Sequence, residues 1–151
     1  MYQGQSLRCS RLDGDIAELC FDRQDEAINK FDRQTLTELA EVAKALGGDD
    51  SIKGLVVTSA KSGFIVGADI MEFGATFAQP EDQIVEWVKE ANKIFTTIED
   101  LPFPTVTAVN GISLGGGTEM ALSTDYRVIA DKAQIGLPEV KLGLYPGFGG
   151  T

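Results

Sequence analysis

Thr105-Val106-Thr107-Ala108-Val109-Asn110-Gly111-Ile112-Ser113-Leu114-Gly115-Gly116-Gly117-Thr118-Glu119 is the stretch around which the rest of the chain is organised. Its first five residues are apolar or β-branched and carry no charge, the pattern of a strand buried on both faces. Thr118 to Leu122 then has helical composition. A strand that enters a helix through three glycines lets backbone approach a ligand closely and leaves the first helical N–H groups pointing outward. Such a turn is either a tight connection or a place for an anion or oxyanion. It lacks the Lys-Ser/Thr ending of a P-loop and is not the Gly-x-Gly-x-x-Gly of a dinucleotide site. Glu119 falls in the first helical turn, where a carboxylate serves the helix dipole or chemistry, and spacing alone does not choose.

Upstream, strand-like segments from Ser6 to Leu12 and from Asp15 to Phe21 flank Asp13-Gly14, a hairpin signal. Leu36, Leu39, Ala40, Ala43 and Leu46 recur at helical spacing, with Asp32 as N-cap and Gly47-Gly48 as the stop. Gly54 to Thr58 reads as a buried strand that leaves through a loop from Gly63 to Ala68. Ile84, Trp87, Val88, Ala91, Ile94, Phe95 and Ile98 form a second helical stripe, read as core, which ends before Pro102 and Pro104. Downstream, Tyr126 to Ile129 is strand-like. Glu139 follows Gly136-Leu137-Pro138 in an apolar stretch, where a carboxylate is either exposed at a loop tip or buried with a raised pKa. Strands and helices alternate, which signals an α/β fold. The last residues, Pro146 to Thr151, form no closing helix or strand, so a truncated or partial domain is expected.

At 151 residues, 43% hydrophobic and 24% charged, the chain has the composition of one globular domain. Cys9 and Cys20 lie in apolar strand-like stretches, as buried thiols in a reducing compartment do. No apolar run is long enough to span a membrane and no signal-peptide pattern opens the chain, so a cytoplasmic location is expected. A net charge of −10 argues against general binding to nucleic acid or anionic lipid. It also means that a polyanionic ligand needs local helix N-termini and backbone N–H groups to offset the overall field. Histidine is absent. That removes Ser-His-Asp and Cys-His mechanisms and leaves acid–base work near neutral pH to carboxylates with shifted pKa values. No metal site is expected.

Three motifs in order, Phe64-Ile65-Val66-Gly67-Ala68-Asp69-Ile70, Asn110 to Glu119, and Gly136-Leu137-Pro138-Glu139, resemble those of the crotonase (enoyl-CoA hydratase/isomerase) superfamily. Asn29-Lys30-Phe31, Phe64-Ile65-Val66 and Leu144 to Thr151 further resemble the N-terminal hydratase domain of bacterial multifunctional fatty-acid oxidation α-subunits. The resemblance implies a crotonase-like spiral of ββα units, truncated at its C-terminus. Residues 1–151 would be the N-terminal part of an enoyl-CoA hydratase/isomerase domain, without its last helices or a dehydrogenase half. The implied reaction is hydration of a 2-trans-enoyl-CoA to a 3-hydroxyacyl-CoA in fatty acid β-oxidation, with movement of a 3-double bond to position 2 as a side activity.

By the same resemblance the backbone N–H groups of Ala68 and Gly116 form the oxyanion hole, and Glu119 and Glu139 share the attacking water. Phe64, Ile65, Val66, Gly67, Asp69, Gly115 and Gly117 are implied around the CoA. Lys30 either faces the ligand's phosphates or is solvated. No cofactor is implied for this chain, since NAD would bind the missing dehydrogenase half, and a thiolase β-subunit is the implied partner. The rivals are another crotonase-type acyl-CoA enzyme, in which one glutamate is usually absent, and a non-catalytic fragment that only binds a partner. A serine peptidase with Ser113 as nucleophile fails for want of a histidine.

Overall fold

The chain opens on an antiparallel ribbon, in which β1 (Tyr2–Gln3) pairs with β2 (Leu7–Leu12) and β2 with β3 (Ile16–Phe21). The β2–β3 turn holds Gly14 at φ 75° and Asp15 at φ 63°, left-handed values that Gly and Asp tolerate best. In this computed structural model, which describes residues 1–151, α1 (Arg33–Gly47) crosses from β3 to the parallel β4 (Gly54–Ser59). Helices α2 (Phe73–Phe77) and α3 (Glu81–Glu99) lead to the parallel β5 (Thr105–Val109). The short β6 (Ser113–Leu114) and α4 (Gly116–Leu122) precede β7 (Tyr126–Ile129), which joins the sheet beside β5. The sheet order is β1-β2-β3-β4-β5-β7, and β8 (Ile135–Gly136) pairs with β6 in a small second sheet. Parallel strands linked by helical crossovers make this an α/β arrangement.

The expected caps are present in α1. Asp32 Oδ accepts the Thr35 N–H at 2.8 Å, and Gly48 closes the helix by donating to the Leu46 carbonyl. Leu36, Leu39, Val42, Ala43 and Leu46 form its buried face. The stripe on α3 departs from expectation. Ala91, Phe95 and Ile98 enter the core, whereas Ile84, Trp87, Val88 and Ile94 are only partly buried, Trp87 and Ile94 packing against the core's margin. The N-terminal half of α3 packs beside a cavity instead of on the sheet. Strand β7 lies where expected, yet Tyr126 and Val128 are each 65% exposed because it is the edge of the sheet. Cys9 and Cys20 are free and buried, and burial pushes the Cys9 thiol up to about 11, an unreactive setting. No helix is long and apolar enough to cross a membrane.

Two buried polar side chains tie the ribbon to the α/β portion of the chain. Glu38 on α1 accepts the N–H groups of Gln5, Ser6 and Leu7 at 2.9–3.1 Å, closing the β1–β2 turn. Asn29 accepts the Arg23 N–H and donates to Ser59 Oγ and to the carbonyls of Phe21 and Phe64. It therefore joins the end of β3, the exit of β4 and the Phe64 loop. Asn29→Asp puts a carboxylate against those two carbonyls. It should cost about 2–4 kcal/mol in urea unfolding, the combined loss of buried hydrogen bonds and burial of a charge. A change below about 0.5 kcal/mol, the level of an ordinary surface substitution, would contradict the role.

Candidate active site

The site begins where two loops zip together backbone to backbone. Phe64 N–H donates to the Ile112 carbonyl at 2.9 Å, and Leu114 N–H donates to the Ile65 carbonyl at 3.0 Å. The approach is so close that a Cβ on Gly117 would lie 2.2 Å from the Ile65 carbonyl oxygen, and one on Gly111 would lie 2.4 Å from that of Ser62. Glycine is required at both positions because backbone, which cannot swing aside, fills the space.

Beyond the zipper the chain runs beside Phe31, whose N–H donates to the Gly67 carbonyl while its own carbonyl accepts the Asp69 N–H, both at 2.8 Å. In extended chain successive N–H groups point to opposite sides. The Ala68 N–H is thus turned away from Phe31. Gly116 opens α4, so its N–H has no carbonyl one turn back within the helix. Ala68 and Gly116 line one cavity of about 210 Å³, together with Val66, Gly67, Gly115, Glu119 and Glu139.

Glu119 is 3% exposed, and its Oε1 accepts N–H groups from Phe148 at 2.7 Å and Gly150 at 3.0 Å. Burial raises its pKa, the charge of Glu139 adds to the rise, and the two N–H donors oppose it without cancelling it. Glu139 begins a 3₁₀ turn, Glu139–Leu142, just after Pro138. Its Oε1 sits 2.9 Å from where a Cβ on Gly115 would be, and its Oε2 is buried without a partner in the protein. Gly115, at φ 51°, both makes the turn and leaves room for that carboxylate. Glu119, Glu139, Ala68 and Gly116 thus line one small cavity.

The raised pKa has a consequence for stability. Below the unfolded-state value, about 4.3 for Glu, the group is protonated in both states and costs nothing. As pH rises past it, the unfolded chain releases a proton that the folded chain retains, so stability falls until the folded pKa is passed. Glu119→Gln removes this titration. Its stability relative to the parent should grow as pH rises past about 4.3 and level off once the folded pKa is passed, as read by urea unfolding, and a pH-independent difference would contradict the raised pKa.

Other residues singled out from the sequence lie outside the cavity lining. The side chains of Phe64 and Ile65 are fully buried core, and their carbonyls bond Asn29 and Leu114, so they shape the loop. Gly117 packs on Ile65. Asp69 caps the next turn through the Met71 N–H and pairs with Lys30 at 3.1 Å, and Lys30 also pairs with Glu26 at 2.9 Å. Lys30 is therefore neither freely solvated nor unengaged. Sequence reasoning missed the apolar wall of Phe73, Phe77, Trp87, Leu142 and Leu144, and it missed the Phe148 and Gly150 amides on Glu119. The available signal was Phe148 set among glycines in Pro146 to Thr151.

A family model described as enoyl-CoA hydratase/isomerase matches residues 12–151. The chain belongs to the enoyl-CoA hydratase/isomerase family. It is 55% identical over all its 151 residues to a fatty acid oxidation complex subunit alpha from Pseudomonas syringae pv. syringae, spanning 21% of that relative. The corresponding subunit from Pseudomonas aeruginosa is 54% identical over the same span. Among solved structures, an enoyl-CoA hydratase from Bacillus anthracis superposes with TM-score 0.84 at 30% identity, over 97% of this chain and 55% of that one. One from Shewanella pealeana gives TM-score 0.89 at 26% identity, over 97% and 54%. The fold is thus that of the enoyl-CoA hydratase/isomerase family, and the chain is of the crotonase enzyme type.

Proposed function

We propose that the protein hydrates 2-trans-enoyl-CoA to 3-hydroxyacyl-CoA in fatty acid β-oxidation and, as a side activity, isomerises 3-enoyl-CoA to 2-enoyl-CoA. The observation that carries this reading is that Glu119, Glu139, Ala68 and Gly116 line the same cavity. The thioester oxygen accepts from both amides, which stabilise the enolate-like charge that develops there as water adds. Each such donor is worth about 10²–10³ in rate. The two carboxylates hold one water, whose hydroxyl bonds to C3 while C2 gains a proton. The free Oε2 of Glu139 suits this, since no protein donor competes for it. Burial and the neighbouring Glu139 charge raise the Glu119 pKa, which favours Glu119 as the holder of the proton that C2 receives.

The chain's own residues are proposed to need no cofactor or metal. Val66, Gly67 and Gly115 line the cavity and would contact the acyl-CoA, with Phe64, Ile65, Asp69 and Gly117 supporting that loop from behind. On the resemblance to multifunctional α-subunits, NAD would be bound by a separate dehydrogenase portion, a thiolase β-subunit would be the partner, and the setting would be cytoplasmic. The full-length protein mixed with crotonyl-CoA should bleach the absorbance of the conjugated thioester. Tight binding of crotonyl-CoA without bleaching would favour a non-catalytic binding role, and bleaching only with other acyl-CoA chemistry would favour another crotonase-type reaction.

A further inference from the structure

Glu119 is held by amides that themselves need holding. Phe148 and Gly150 lie in a glycine-rich stretch with little regular structure, yet both N–H groups converge on one carboxylate oxygen. Two features of α3 fix that stretch. Asn92 Nδ2 donates to the Gly147 carbonyl, while also bonding the Val88 carbonyl one turn back in its own helix. The Phe148 ring stacks on Phe95, with centroids 5.0 Å apart, and meets Trp87 edge-on at 6.1 Å. Asn92 itself does not line the cavity.

We infer that Asn92 is a positioning residue that clamps the Gly147–Gly150 backbone so that the Phe148 and Gly150 amides hold the Glu119 carboxylate in place for water activation. The inference rests on the proposed role of Glu119 and adds the helix that controls it. The Gly147 carbonyl and the Phe148 N–H flank a single peptide bond, which is planar and rigid. Fixing the carbonyl therefore fixes the direction of the N–H. With the clamp lost, the two donors that oppose the upward shift of Glu119 slacken, and its pKa rises further. Glu139 is the charged side chain that bears on Glu119, and substitution of Asn92 leaves it untouched.

Asn92→Leu, close in size, and Asn92→Ala, the best helix former, both remove the donor. In the full-length protein each should lower kcat for crotonyl-CoA hydration by about 10- to 10²-fold, the scale for a small misplacement of a catalytic group, with KM little changed. In a Glu119→Gln background the same substitutions should add almost nothing, because they act through that carboxylate. Independently of turnover, the Glu119 carboxyl signal followed by carbon NMR should titrate at higher pH in either variant than in the parent. An unmoved midpoint in folded variants, or a loss that multiplies with Glu119→Gln, would overturn the clamp. If the parent fails to hydrate crotonyl-CoA while the midpoint still moves, the clamp stands and the hydratase reading falls.

Discussion

Glu139→Gln is expected to lower crotonyl-CoA hydration at least ~10²-fold, the low end for loss of a general acid–base group, without disturbing the fold. The two halves of that expectation have one origin. Glu139 Oε2 has no partner in the protein, so exchanging it for an amide breaks no protein hydrogen bond, yet it removes an ionisable oxygen from the cavity. Glu119→Gln should lose a comparable factor. The double variant should be little worse than the worse single one, since groups that act on one water fail together. Turnover near that of the parent for Glu139→Gln would remove it from the mechanism, and fully multiplicative losses would argue against a shared water.

Gly117→Ala is expected to do the opposite kind of damage, breaking structure first and activity with it. The added Cβ would fall 2.2 Å from the Ile65 carbonyl oxygen and 2.9 Å from Ile65 Cβ. Neither can rotate aside, because Ile65 is fully buried and its carbonyl already accepts the Leu114 N–H. The loop that carries Ala68 would be pushed from the one that carries Gly116. A stability loss of about 3 kcal/mol, the upper part of the range for overpacking, should accompany a hydration loss of at least ~10²-fold, the low end for losing an oxyanion donor. Urea unfolding and initial rates measure the two. Gly143→Ala is the control. Unlike Gly117 it has positive φ, at 71°, and its Cβ meets nothing within 4 Å, so it should show backbone strain of about 1 kcal/mol and no packing penalty.

Much of the fold was legible because local signals and tertiary structure agree. Asp13-Gly14 makes the β2–β3 turn, Asp32 and Gly48 bound α1, and the three glycines after β5 open α4. The burial of β7 and of the N-terminal half of α3 was not legible. Tyr126-Arg127-Val128-Ile129 has the composition of an interior strand, and only its place at the sheet edge exposes it. Trp87 sits at helical spacing with true core residues, and the pattern cannot say that a cavity rather than a sheet lies beneath it.

At the site, the residues that chemistry needs were named from motifs, but what holds them was not. Glu119 receives its amides from 29 and 31 residues further along the chain, a separation that no local pattern encodes. Phe64 and Ile65 belong to a motif that reads as ligand-facing, while in the fold their bulk serves the core and only their successors reach the cavity. Lys30 was a candidate for ligand phosphates or for solvent, and Glu26 and Asp69 take it up instead. In a chain of net charge −10 an isolated lysine readily finds a carboxylate.

On the proposed mechanism, the Ala68 and Gly116 amides bind the thioester oxygen beside the two glutamates. A crystal structure of the full-length protein with butyryl-CoA, whose saturated chain has no double bond to hydrate, would show where that oxygen sits. The thioester oxygen should lie about 2.7–3.1 Å from both backbone nitrogens, with C2 and C3 facing Glu119 and Glu139. A thioester oxygen bonded elsewhere, or an acyl chain on the far side of α4 from the glutamates, would contradict it.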